Sequence, residues 1–127
     1  MKNLLLVGLG GGVGSMLRYL CQVWFTKNYP QSFPWGTFLV NVLGCFLVGV
    51  LYAVSEKSAV LSLQMRLLLA TGFCGGFTTF SSFGHENMNL LRSGDTFTFI
   101  IYTISSVVLG ILGVFAGATL VNNLMNQ

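Results

Sequence analysis

The segment GFCGGFTTFSSFGHE, residues 72–86, carries the side chains best suited to contact an anion. Phe80 and Phe83 are three residues apart and therefore share one face of a helix. A polar row occupies an adjacent face, at Thr79, Ser82 and Glu86. Aromatic rings have positive edges and hydroxyls donate hydrogen bonds, so together they suit an anion without a buried cation. The alternative is that both rings only fill a core or face lipid.

The same segment is poorly suited to a continuous helix. Gly75, Gly76, Thr78 and Thr79 would each weaken a helix in the middle of an apolar stretch, so we expect a break there. At membrane depth, irregular backbone is tolerated only where it is buried in protein or lines a cavity. The carbonyl groups freed by such a break are potential ligands for a cation.

Polar residues recur inside the other apolar stretches. Thr37 and Asn41 are one helical turn apart, so their hydrogen-bonding groups face the same way. They either line a pore or hold helices together. Tyr102 and Ser106 begin a face that continues through small residues, at Gly110, Gly113 and Gly117. This face suits close packing, and its polar end is expected near the same aqueous path.

The first apolar stretch combines a glycine-rich start with a basic residue. Two overlapping G-x-x-x-G spacings, residues 8–12 and 10–14, predict close helix packing. Arg18 shares a helical face with Gly14 and Gln22 and is predicted to point into the protein. An arginine within a membrane span is costly and usually functional. The alternative is that its side chain extends to the membrane interface.

Composition indicates that lipid covers much of this chain. Of its 127 residues, 54% are hydrophobic and only 7% are charged, against about 25% charged in soluble domains. Charged residues separate four apolar stretches, about 4–25, 35–55, 66–91 and 97–121. A transmembrane helix needs roughly 20 apolar residues. We therefore predict one all-α membrane domain, residues 1–127, with four transmembrane helices and a break in the third near mid-membrane.

Several classes of function lack their usual signature. The net charge of +3 comes from scattered cations, which argues against a nucleic-acid partner. The three cysteines form no C-x-x-C pair, and the glycine-rich start has no nucleotide-binding motif. His85 and Glu86 are adjacent on a helix and point in different directions, and no other catalytic grouping is present. The chain is therefore predicted not to be an enzyme.

Basic residues give almost no preference for one orientation in the membrane. They lie on alternate sides of the predicted spans, with Lys2, Lys57 and Arg66 on one side and Lys27 and Arg92 on the other. Because this bias sets orientation, a three-to-two division predicts insertion both ways up. The two orientations would then pair as an antiparallel dimer. The alternative is a single orientation that the count does not reveal.

Three motifs resemble those of the Fluc/CrcB family of fluoride channels. They are G-x-x-x-R at residues 14–18, W-G-T-x-x-V-N at 35–41 and G-G-x-T-T-F-S-x-F at 75–83, and the resemblance covers essentially the whole chain. It implies a fluoride-selective passive channel in the bacterial inner membrane. It further implies an antiparallel, dual-topology homodimer with two narrow pathways, which exports fluoride from the cytoplasm and relieves fluoride toxicity.

The resemblance also implies roles for individual residues. Phe80 and Phe83 would contact the permeating fluoride, with Asn41 as a polar pore residue beside them. The backbone carbonyls of Gly75 and Thr78 from both subunits would hold a structural Na⁺ on the twofold axis. The remaining implied positions are a polar track, at Ser81, Ser82, Tyr102 and Ser106, and vestibule or structural positions, at Arg18, Thr37 and Glu86.

Some positions depart from the family pattern. Ser82 stands where threonine is usual, which keeps the hydroxyl, and Gly84 and His85 precede Glu86 in place of small hydroxyl or apolar residues. Gly110 replaces a serine of the polar track. Two other functions remain open from the residues alone: a small multidrug-type proton-coupled transporter, which would need an acid where Arg18 stands, and a structural membrane subunit.

Overall fold

A computed structural model describes residues 1–127 as an all-helical protein with no strand. Four helical stretches are long and apolar enough to cross a membrane: Lys2–Asn28, Trp35–Lys57, Leu63–Arg92 and Thr96–Met125. We name the first two α1 and α2 and the last α6. Each stretch extends a few residues beyond the span predicted from sequence. The prediction of an all-α chain with four apolar helices is confirmed.

The third stretch is built from four shorter elements. It runs through α3 (Leu63–Arg66), a π-helical segment (Leu67–Cys74), α4 (Gly75–Phe77) and α5 (Phe80–Arg92). Between α4 and α5, Thr78 has φ −84° and ψ 155° and Thr79 has φ −151° and ψ 117°, so both are extended. Gly75, with φ −62° and ψ −37°, is helical. The non-helical backbone is therefore confined to the two threonines and does not include the glycines.

Glycines bring α1 into direct backbone contact with the third stretch. A Cβ on Gly14 would overlap the Phe73 carbonyl oxygen, and one on Gly76 would overlap the backbone of Gly11. Gly8 and Gly12 have nothing within 4 Å of such a Cβ in this chain. Of the two G-x-x-x-G spacings, only the one at 10–14 packs within the chain, because Gly10 and Gly14 are the buried pair.

Gly14→Ala is expected to destabilise the protein by about 1–3 kcal/mol, the usual cost of overpacking. The added methyl group would meet backbone, which cannot rotate away as the end of a side chain does. Gly12→Ala is the matched control and should be neutral or slightly stabilising, since alanine favours a helix over glycine. Thermal unfolding of the purified protein in detergent compares the two. Equal losses of stability in both variants would contradict this assignment.

A second close pair joins α2 and α6. A Cβ on Gly49 would overlap the Val114 carbonyl oxygen, and one on Gly117 would overlap the Phe46 carbonyl oxygen. The same argument makes Gly113 a contact residue, since its Cβ would lie 3.2 Å from the Val42 carbonyl oxygen. The small end of the α6 face therefore packs on α2, as its spacing predicts.

Side chains cap the first turns of α3, α5 and α6, whereas α2 begins after Pro34 without a side-chain cap. Ser62 accepts from the Met65 N–H, and Thr79 accepts from the Ser82 N–H at 3.2 Å. Asp95 accepts from the Thr98 N–H at 3.1 Å and starts α6. Hydrogen bonds from Thr98 hold the pKa of the Asp95 carboxyl below its ordinary value. Such caps satisfy backbone donors that have no partner in the first turn of a helix.

The buried aromatic core lies where α2, α5 and α6 meet. Phe38, Leu90 and Tyr102 form it, and Phe33 and Phe83 pack against it. Tyr102 is completely buried. This core holds the polar side chains of three helices at fixed distances from one another.

Candidate functional site

Asn41 supports the backbone at the extended segment. Its Nδ2 donates to the Thr79 carbonyl oxygen at 3.0 Å, and its Oδ1 accepts from the Thr79 N–H at 2.7 Å. One amide side chain thus satisfies both backbone groups of a residue outside the helical ladder. A backbone polar group left without a partner in lipid costs several kcal/mol. Asn41 therefore positions the start of α5 directly.

Hydroxyl groups cluster at the same helix start. The Thr79 hydroxyl lies 3.2 Å from Ser81 Oγ and 3.2 Å from Ser82 Oγ. Ser81 is exposed in this chain and Ser82 is half-buried. The structure therefore places Ser81 and Ser82, two of the three serines predicted for the polar track, beside the residue that Asn41 holds.

Arg18 points into the protein. Its Nε donates to the Gly76 carbonyl oxygen at 2.9 Å, and Ser15 Oγ donates to the same oxygen at 3.3 Å. Arg18 is half-buried, and its guanidinium group contacts α4. The prediction of an inward-facing arginine is confirmed, and its contact is with backbone immediately before the extended segment.

A chain of side-chain hydrogen bonds crosses four helices. Gln22 Nε2 on α1 lies 2.9 Å from Thr37 Oγ1 on α2, which lies 2.6 Å from Glu86 Oε1 on α5. The Tyr102 hydroxyl on α6 donates to Glu86 Oε2 at 2.6 Å. We call these four residues the polar network. Each carboxylate oxygen of Glu86 accepts one hydrogen bond from a hydroxyl group, so both oxygens of this half-buried carboxylate have a hydrogen-bond partner.

The polar network borders a cavity of about 500 Å³, which we call the outer cavity. Gln22, Thr37 and Glu86 line it, together with the loop between α1 and α2. No lysine or arginine is among its lining residues. The outer cavity therefore contains hydrogen-bonding groups and aromatic rings but no fixed positive charge.

A second cavity of about 440 Å³, which we call the inner cavity, lies beyond Tyr102. Asn41, Phe80, Phe83 and Ser106 line it. The ring centroids of Phe80 and Phe83 are 5.5 Å apart, and that of Phe83 is 5.1 Å from that of Tyr102. Tyr102 thus links the two cavities, because its hydroxyl contacts Glu86 and its ring contacts Phe83.

The other predicted positions differ in the hydrogen-bond partners and neighbours that the structure gives them. Ser106 Oγ is buried without a hydrogen-bond partner. Gly110 lines the inner cavity, and a Cβ there would lie 3.6 Å from Cys45 Sγ, so a thiol occupies space next to the missing serine. His85 is exposed, and its Nε2 lies 3.2 Å from Asn89 Nδ2, so its hydrogen bond is to a residue outside the polar network that Glu86 joins.

Two carbonyl groups at the break lack the partners that a helix would supply. The Thr79 N–H that would close a helical bond to the Gly75 carbonyl donates to Asn41 instead. The Thr78 carbonyl oxygen accepts none of the hydrogen bonds outside the regular helices. Carbonyl oxygens freed in this way replace the hydration shell of an alkali cation in channel proteins. The residues present therefore fit a small hard cation.

Gln22 is a member of the polar network that the sequence singled out only weakly. Its spacing from Arg18 places it on the inward face of α1, but nothing in that spacing names Thr37 as its partner. A Cβ on Gly36 would lie 2.8 Å from Gln22 Cα, so α1 and α2 touch at this point. The glycine of the W-G-T motif is what permits the contact.

Four apolar helices and a hydrogen-bonded interior with two cavities define a multi-pass membrane protein of the channel or transporter class. Residues 5–118 match the family described as CrcB-like protein, Camphor Resistance (CrcB). The chain therefore belongs to the CrcB family, and the resemblance read from its motifs is confirmed.

The chain is similar to proteins named fluoride-specific ion channel FluC. It is 52% identical over 117 residues to that of Phocaeicola vulgatus, covering 92% of this chain and 96% of the relative. It is 48% identical over 122 residues to that of Leptospira interrogans, covering 96% of each. It is 39% identical over 124 residues to that of Flavobacterium psychrophilum. Relatives named as ion channels confirm the prediction that the chain is not an enzyme.

Proposed function

We propose that this protein is a fluoride-selective passive channel of the bacterial inner membrane, which exports fluoride from the cytoplasm. The observation that carries the proposal is the inner cavity, which places Phe80, Phe83 and Asn41 together in a chain similar to fluoride-specific channels. A channel must release its ion as readily as it binds it. Ring edges and neutral polar groups meet that need better than a buried lysine would.

The polar network forms the entrance from the outer cavity. Two hydroxyl donors, on Thr37 and Tyr102, converge on the Glu86 carboxylate. Fluoride accepts hydrogen bonds as a carboxylate oxygen does, so the same donors suit the ion as it passes. Partial replacement of water by hydroxyl groups lowers the cost of removing fluoride from its hydration shell. Arg18 acts in this proposal as an electrostatic or anchoring residue next to α4.

The inner cavity forms the selective part of the pathway. Phe83 lies beside Tyr102, and Phe80 follows one helical turn away on the same face of α5. Positive ring edges contact a small anion without holding it as tightly as a lysine would. Asn41, Ser81, Ser82 and Ser106 supply the neighbouring polar groups. Ser106 Oγ, which lacks a protein partner, is free to bond an ion or water there.

The proposal includes an antiparallel homodimer with two fluoride pathways. Phe80 is 83% exposed in the single chain although it lines the inner cavity, so one copy leaves the pathway open on that side. A second copy would close it. The nearly equal, three-to-two division of basic residues between the two sides favours a partner of opposite orientation.

A structural Na⁺ on the twofold axis completes the proposed assembly. The carbonyls of Gly75 and Thr78 would hold it, with the same pair from the second subunit. The ion would supply positive charge that balances the carbonyl dipoles at the break. Asn41 and Arg18 contribute by fixing the backbone on either side, at Thr79 and at Gly76.

Relief of fluoride toxicity is the proposed physiological role. Fluoride enters cells as its uncharged weak acid and dissociates inside, where the anion is retained. A passive pathway for the anion lets it leave down its electrochemical gradient. No bond is made or broken, and no energy source is needed.

Fluoride efflux from liposomes tests the proposal. Vesicles that hold the purified protein and fluoride should release fluoride quickly once a potassium ionophore is added, because K⁺ then leaves with the anion and no opposing membrane potential builds up. They should release little chloride under the same conditions. A fluoride electrode measures the first and a chloride electrode the second. Vesicles without protein are the control. No release from protein shown to be dimeric would overturn the proposal and favour proton-coupled cation transport.

A further inference from the structure

Gln22 occupies the junction of α1 and α2 at the edge of the outer cavity. Close contact of Gly36 with its Cα fixes the backbone, and its side-chain amide lies 2.9 Å from Thr37 Oγ1. Thr37 is almost completely buried, at 1% exposure, whereas Gln22 is half-buried. The amide is thus the only group of α1 that hydrogen-bonds to the other three members of the polar network.

The direction of the hydrogen bonds follows from counting protons. The Thr37 hydroxyl donates to Glu86 Oε1 at 2.6 Å. The threonine hydroxyl has only one proton, and its remaining contact must therefore be as acceptor. Gln22 must then present its NH₂ group, and every bond of the polar network points towards Glu86.

We propose that Gln22 is a positioning residue of the conduction pathway, which holds the Thr37 hydroxyl proton directed at the place where fluoride enters. This inference rests on the proposed channel function. A threonine in a helix commonly turns its hydroxyl to the carbonyl one turn earlier. The Gln22 donor opposes that rotation, because it occupies the acceptor side of the hydroxyl and leaves the proton directed at Glu86. Gln22 acts through Thr37 in this role.

Gln22→Met tests the donor, since methionine has similar length but no N–H group. Fluoride efflux should fall by about three- to tenfold, the factor that corresponds to one ordinary hydrogen bond. Gln64→Met is the matched control, because Gln64 is exposed on α3 and outside both cavities. In a Thr37→Val background, Gln22→Met should cause no further loss. An equal further loss in that background would overturn the proposal.

The pH dependence of fluoride efflux in the Gln22→Glu variant distinguishes a positioning role of residue 22 from a packing role. The ionised side chain can only accept hydrogen bonds, so it competes with Glu86 for the hydrogen bond that the Thr37 hydroxyl donates. Fluoride efflux should therefore be low near pH 8. When protonated, the new carboxyl becomes a hydrogen-bond donor, so efflux relative to that of the unmodified protein should rise as the pH is lowered from about 8.

Other titratable groups near this position are the same in every variant compared. They are Glu86 on α5, Tyr102 on α6, Tyr29 beside the outer cavity and, elsewhere on α1, Arg18 and Lys27. The unmodified protein and Gln64→Glu therefore provide the baseline profile, and vesicles without protein correct for the uncharged acid crossing lipid. A flat relative profile for Gln22→Glu would overturn the proposal. Absence of efflux in the unmodified protein would instead reject the channel function itself.

Discussion

Replacement of both Phe80 and Phe83 by isoleucine is expected to abolish most fluoride flux while leaving a folded protein. Isoleucine keeps the apolar volume but has no ring edge to contact an anion. Aromatic pairs arranged by the ring quadrupole gain about 0.5–1.5 kcal/mol each, and an edge contact with an anion is expected to be of the same order. Loss of two such contacts at one point of the pathway corresponds to a fall of up to about a hundredfold in flux.

Fluoride efflux from liposomes, corrected for the amount of protein incorporated, measures this effect. The matched control is the double replacement Phe97→Ile and Phe115→Ile, because both of these rings are exposed on α6 and line neither cavity. The control should conduct normally. Undiminished flux after replacement of Phe80 and Phe83 would remove them from the pathway, and so would an equal loss in the control.

Asn41→Leu is expected to destabilise the protein strongly. Leucine has nearly the same volume, but it leaves both the N–H and the carbonyl of Thr79 without their partner. Each unsatisfied buried group costs about 1–3 kcal/mol. Their sum is a large part of the 5–15 kcal/mol that typically holds a protein folded. Yield of monodisperse protein and its thermal unfolding temperature in detergent measure the loss.

Asn41→Asp distinguishes the contributions of the two hydrogen bonds between Asn41 and Thr79. Aspartate still accepts from the Thr79 N–H but, when ionised, repels the Thr79 carbonyl oxygen instead of donating to it. Its stability should fall between those of the unmodified protein and Asn41→Leu, with flux already impaired. Asn123→Leu, at an exposed site on α6, is the control for adding leucine. Stability of Asn41→Leu equal to that of this control would contradict the supporting role of Asn41.

The sequence alone determined the all-helical class, the four apolar stretches and the family. Lipid imposes these features directly, because each crossing needs about 20 consecutive apolar residues and few charges. Helical periodicity also assigned side chains to shared faces. Thr37 and Asn41 both contact the region around α5, and Phe80 and Phe83 lie side by side. These are local consequences of 3.6 residues per turn.

Only the tertiary structure decided which partners those faces meet. Arg18 binds the carbonyl of Gly76, 58 residues away. Glu86 accepts one hydrogen bond from α2 and another from α6. It also separated the packing pair Gly10 and Gly14 from the adjacent G-x-x-x-G spacing at 8–12. The period of a helix fixes the direction of a side chain relative to its own axis. It does not specify the rotation and depth of the neighbouring helix, which depend on backbone contacts made by residues distant in the chain.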